Sequence, residues 1–172
     1  MGMQTDVLSA HLNASGFMTT ARTRVRGVIS VASSTAGTVN LWDTTVTPVS
    51  ITYARSGTTI TITHTAHGLN TGDWIGLTFA AGTGGTATNG NYQVTVVNAN
   101  SYTVTDINSG SITAGAAGTE GARWLTSFDT AALTTSGVPQ TIFLPFPAEG
   151  MIARNGVYAQ LSNQTGLTIF YG

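Results

Sequence analysis

Two histidines, a scattered set of carboxylates and three arginines are the residues whose types and spacing could do chemistry in this chain. His64 and His67 are the clustered candidates for a metal site. In a strand, residues three apart point to opposite faces, so this pair converges only if the chain turns between them. Zinc takes three or four protein ligands, and His11, the remaining histidine, is far away in sequence. Both therefore read as hydrogen-bonded loop histidines, and no metal or other cofactor is expected. Asp43, Asp73, Asp106, Asp129, Glu120 and Glu149 could pair as general acid and base. Each reads as a strand-end residue beside Thr, Gly or Asn, where an Asp side chain caps a turn. The glycine-rich stretch 82–90 lacks the Lys and the following helix of a phosphate-binding loop. No Gly-x-Ser-x-Gly elbow or His-Glu-x-x-His motif occurs. The chain thus reads as non-enzymatic, with no catalytic residue.

Arg22, Arg24 and Arg26 make up half of the 6 basic residues. At i, i+2, i+4 they would line about 13 Å of one strand face, at ~3.3 Å per residue. One reading is a gatekeeper edge that discourages strand-to-strand aggregation. Another is a docking stripe for carboxylates of a neighbouring subunit, to which arginine's planar fork is suited. A small phosphate contact is the third, but a net charge of −1 and a pI near 6.2 argue against nucleic acid as a main partner.

The elements that must position these residues are strands. Threonine is the commonest residue, lysine and cysteine are absent, and only 8% of the chain is charged, against ~25% in a typical soluble domain. A 41% hydrophobic content and a mean hydropathy of +0.16 suffice for a core. So neutral a surface suits burial against partner subunits and points to a homo-oligomer or larger assembly. No apolar run reaches the ~20 residues of a spanning helix, so no membrane partner is expected. The start, Met1–Asp6, lacks the basic and apolar regions of a signal peptide.

Strand alternation recurs along the chain. Val25, Gly27, Ile29 and Val31 fall on one face, and Arg22, Arg24, Arg26, Val28 and Ser30 on the other. Ala36-Gly37 reads as a hairpin turn before the strand 38–42. From Pro48 the style changes to strict Thr/Ile alternation and glycine-rich turns. Ser109 to Gly121 is almost purely Ser, Gly, Ala and Thr and reads as a flexible linker. Thr134 to Pro139 reads as a turn. Residues 157–161 and 166–171 read as a terminal hairpin. Leu167, Ile169 and Tyr171 alternate with Thr168 and Phe170, so this last strand is apolar on both sides, either central in a sheet or covered by a partner. The expected class is all-β. Residues 1–47 and 113–172 form a discontinuous sandwich or jelly-roll-like domain, and 48–112 an inserted small β module. Candidate subunit-docking residues are Arg22, Arg24, Arg26, Leu167, Ile169 and Tyr171.

The stretch Gly57–Leu77 holds an alternating strand, then His67-Gly68-Leu69, then Gly72-Asp73 and an apolar strand. With Asn89-Gly90-Asn91-Tyr92-Gln93-Val94 and Tyr102-Thr103-Val104, it resembles a small β module of tailed-bacteriophage structural proteins, similar to SH3-like barrels. The segments Asp6–Gly16, Arg22–Val28, Gly37–Asp43 and Gly166–Gly172 resemble small virion proteins of podovirus-type phages. The resemblance implies a non-enzymatic virion protein, assembled in the host cytoplasm and bound to other virion proteins. The first expectation is a capsid decoration, knob or cement protein on the major capsid protein. The second is a tail, neck or fibre-adaptor ring component, and the third a host-glycan or receptor-binding module.

Overall fold

A computed structural model describes residues 7–131 and 141–172. The start Met1–Asp6 and the turn expected at Thr134–Pro139 lie outside these residues. The protein is all-β, with no helix among the described residues. It divides into two compact units, a flanking unit of 1–45 with 125–172 and an inserted unit of 46–124.

In chain order the flanking unit first supplies β1 (Leu8–Leu12), β2 (Gly16–Thr19), β3 (Thr23–Ala32) and β4 (Gly37–Asp43). The inserted unit follows with β5 (Val49–Thr63), β6 (Trp74–Phe79), β7 (Gly90–Gln93), β8 (Thr95–Asn98) and β9 (Ser101–Gly121). β10 (Trp124–Thr130), β11 (Thr141–Pro145), β12 (Met151–Ala153), β13 (Val157–Ser162) and β14 (Gln164–Tyr171) return the chain to the flanking unit.

The flanking unit is sandwich-like. One sheet runs β1-β14-β3-β11, with β12 also on β3, and the other β10-β4-β13-β2. Every pairing joins a strand before the insert to one after it, and β14 with β1 and β3, β11 and β12 with β3, and β13 with β2 and β4 all pair antiparallel. Val25, Val28, Leu167 and Ile169 of the first sheet meet Val39, Leu41, Val157 and Ala159 of the second in one core. A polar chain also crosses it: Ser30 Oγ donates to Gln164 Oε1 at 2.8 Å, and Gln164 Nε2 donates to Thr130 Oγ1 at 2.6 Å.

Three local expectations change here. β13 and β14 are not a hairpin. They lie in opposite sheets, and Asn163, at φ 53°, turns the chain between them. Ala36-Gly37 likewise carries the chain from β3 in one sheet to β4 in the other. In a two-layer fold, a short turn can cross the core as readily as it can reverse within a sheet. Third, the alternation of β3 breaks. Val25 pairs with Tyr171 but Gly27 with Phe170, so Arg26 is the extra residue of a β-bulge. Beyond it, Val28, Ser30 and Ala32 take the inward positions, and Ile29 and Val31 turn out.

The inserted unit is one sheet, β5-β9-β6-β7 with β8 also on β9, curled round its own core of Ile51, Tyr53, Ile60, Ile62, Leu77 and Tyr102, among others. Its spine is β9, which pairs with β5 from Ser101 to Glu120. The stretch 109–121 is therefore strand and not linker. Gly110 answers to crowding, since a Cβ there would meet the Arg55 Nη2 at 2.5 Å, whereas Gly115, at φ +91°, has open space beside it.

Candidate functional site

The carboxylates and histidines of the inserted unit sit in two internal clusters. Along β9, alternation places Tyr102, Val104 and Asp106 on the inner face. Along β5 it does the same for Ile51, Tyr53 and Arg55. Arg55 Nη1 donates to Asp106 Oδ2 at 2.7 Å, and both side chains are almost wholly buried. Thr88 N–H reaches the same oxygen at 3.2 Å, and Asn108 N–H donates to Oδ1 at 3.1 Å. Burial alone would raise the Asp106 carboxyl, but hydrogen bonds from Thr88, Asn108 and Arg55 outweigh it and hold the group below its usual value. Burial, then the Asp106 charge, pushes the Tyr92 phenol up to about 12 against a smaller lowering by Arg55.

The second cluster centres on Glu120. Its Oε2 accepts from Tyr102 Oη at 2.6 Å and from His64 Nδ1 at 2.8 Å. Burial, then the bond to Glu120 and its charge, drives the Tyr102 phenol far above its ordinary value. His67 stacks edge-on against Tyr102 with centroids 5.3 Å apart. Its Nε2 donates to Asn98 O at 2.8 Å and its Nδ1 accepts from Leu69 N–H at 3.0 Å. That pattern fixes the neutral tautomer. Gly68 and Gly72 take φ of +67° and +102°, and Asp73 Oδ2 caps the turn by accepting from Asn70 N–H at 2.7 Å. His67 and its Gly-Leu and Gly-Asp neighbours thus form a latch: Gly72 N–H donates to Val94 O, and Val94 N–H to Asp73 O.

The remaining described carboxylates have partners as well. Asp43 accepts from the N–H groups of Arg154 and Asn155 at 2.9 and 2.8 Å, closing the turn before β13. Asp129 accepts from Thr38 Oγ1 at 2.9 Å, and Glu149 pairs with Arg24 at 3.1 Å. Turn capping thus describes Asp43 and Asp73, whereas Asp106 and Glu120 lie within β9 and serve buried pairs. Sequence reading missed both clusters. The signal was present, since a charged residue at i+4 after two inward apolar positions marks a buried charge that must find a partner.

The expected docking residues separate. Arg22 precedes β3, Arg24 is drawn to Glu149, and Arg26 sits exposed on the bulge, so they form no continuous stripe. Leu167 and Ile169 are fully buried in their own unit's core, because β14 is the central strand between β1 and β3. They are not available to a partner. Tyr171 is half-buried and packs against that core.

The outward side of the same sheet offers a surface instead. Phe143 of the edge strand β11 is 58% exposed. Its ring meets Phe170 edge-on, with centroids 6.4 Å apart. With Ile29, Gly27 and Arg26 these rings line a groove of about 400 Å³. Arg26 has no carboxylate partner among the described residues. An aromatic pair, with Phe143 exposed and Phe170 half-buried, beside a guanidinium without a carboxylate partner has the composition of a protein-binding hot spot. No family model, curated protein or solved structure matches the chain.

Proposed function

We propose that the chain is a non-enzymatic structural protein of a tailed-phage particle, acting as a capsid decoration or cement subunit. The observation that carries this reading is the Phe143–Phe170–Ile29 groove with Arg26 at its rim, on a chain whose described carboxylates are all engaged internally. A subunit of the shell that presents an apolar side chain flanked by a carboxylate would fill the groove and pair with Arg26. Such an aromatic and arginine patch gives affinity and orientation together. The neutral, threonine-rich remainder of the surface is compatible with close packing in an assembly.

Counting copies tests the location. Quantitative mass spectrometry of purified particles of the encoding phage should find hundreds of copies. Six to a few dozen copies would favour a ring component of tail or neck. Absence from particles would overturn the virion role.

A further inference from the structure

The inserted unit carries an exposed feature that its core does not explain. Trp74 is the single exposed residue of β6, at 65%, and Ile107 on β9 is 85% exposed. Trp74 is the Cα partner of Gln93, and Thr95 that of Thr103. Alternation then places Trp74, Gln93, Thr95, Thr105 and Ile107 on one outward face. They border a groove of about 480 Å³, within the ~300–1,000 Å³ of small-molecule sites.

The polar groups in this groove divide into engaged and free. Asn91 is framework, because its Nδ2 donates to Trp124 O and its Oδ1 accepts from Trp124 N–H, both at 2.9 Å. Gln93 Nε2 donates to Gly72 O at 3.3 Å, which leaves its Oε1 without a partner among the described residues. The hydroxyls of Thr95 and Thr105 also have none among the described residues. No lining residue is charged.

We propose that this groove binds a neutral saccharide, with a pyranose ring stacked on Trp74 and hydroxyls bonded to Gln93, Thr95 and Thr105. The C–H face of a sugar ring carries partial positive charge and suits the negative face of the indole. Sugar hydroxyls both donate and accept, matching one amide oxygen and two threonine hydroxyls. The absence of charge selects against anionic ligands. If the chain is a particle subunit as proposed above, its many copies would raise the affinity of each open site by avidity.

The test uses the full chain, isotopically labelled, titrated separately with cellotriose, maltotriose, mannotriose and N-acetylchitotriose, and screened on an array of neutral and acidic glycans. At least one neutral sugar should shift the Trp74 indole and Gln93 amide signals saturably while the buried Trp42 indole stays put. Trp74→Ala should weaken that sugar by about tenfold or more, and Thr105→Val should weaken it less, both with unchanged melting temperature. No saturable shift with any neutral sugar, a preference for acidic glycans, or undiminished binding by Trp74→Ala would overturn the proposal. If no sugar binds and Trp74→Ala instead abolishes self-association in sedimentation, the groove is a protein contact and the proposal fails.

Discussion

The two units solve the same problem, burying one face of a β-sheet, in opposite ways. In the flanking unit every paired strand finds its neighbour across the insert, as β1 does with β14 and β4 with β13. In the inserted unit neighbours are nearer in sequence, as β6 with β7 and β8 with β9, and one long strand ties them together. The flanking core is apolar apart from the Ser30–Gln164–Thr130 bridge and the buried Asp43 carboxylate, which backbone N–H groups hold, whereas the inserted core encloses an ion pair and a Tyr–Glu–His cluster. The difference teaches where each unit is vulnerable. The first fails when one strand is lost, because closure of the whole chain must be won back from long-range pairing. The second fails when one buried charge loses its partner.

The largest effect should come from deleting residues 167–172. That removes Leu167 and Ile169 from the core and leaves backbone groups of both β1 and β3 unpaired. Each large buried side chain lost costs about 2–5 kcal/mol, against a total stability of ~5–15 kcal/mol for a domain. Circular dichroism and NMR should show the flanking unit unfolded while residues 46–124 keep dispersed amide signals. Loss of both sets of signals together would erase the distinction between the units.

Asp106→Ala should be next, at about 3–5 kcal/mol, since it strands the Arg55 guanidinium and the Thr88 and Asn108 N–H groups. Arg55→Met should cost less, because Asp106 keeps two N–H donors. Urea unfolding followed on inserted-unit signals checks the ranking, and equal costs would show the pair acting only as a charge couple.

The pH dependence separates the same groups. The folded Asp106 pKa is depressed, so its contribution is fully present above the unfolded value near 3.8 and is lost as pH falls through the lower folded value. Tyr92 and Tyr102 are raised, so their contribution is full below the ordinary 10.0 and is lost only as pH climbs past it. Tyrosinate absorbance should therefore show two phenols that ionise only at or beyond about pH 12, or together with alkaline unfolding. Five phenols titrating near pH 10 in the folded protein would contradict the burial of the second cluster.

The smallest effect should come from Arg22, Arg24 and Arg26→Gln, under about 0.5 kcal/mol each, as exposed sites generally give. Of the three, only Arg24 has a carboxylate partner among the described residues, and that pair is solvent-exposed. A melting temperature lowered by more than a few degrees would assign the arginines to folding.

Much of this was legible in the sequence. The all-β class followed from Thr-rich alternation, and the latch around His67-Gly68-Leu69 and Gly72-Asp73 followed from its turn residues. Strand partners were not legible. Alternation tells which side chains share a face, but not which strand lies alongside, and the sandwich sends β3 to β4 and β13 to β14 across the core. The single inserted residue at Arg26 turned Val28 and Ser30 inward and Ile29 and Val31 outward, because one bulge reverses every later side chain. Composition misled at 109–121, where the small residues belong to a strand paired with β5 and Gly110 lies against Arg55. Leu167 and Ile169 were recognised as buried, but what buries them is their own unit.

The most direct test of the docking account replaces Phe143 with Asp and counts copies in purified particles. Phe143 is exposed, so folding and melting temperature should be unchanged, while an acidic group beside Arg26 would cap the groove. The account predicts a loss of incorporation of about tenfold or more. Incorporation at the wild-type level by a folded Phe143→Asp protein would contradict it.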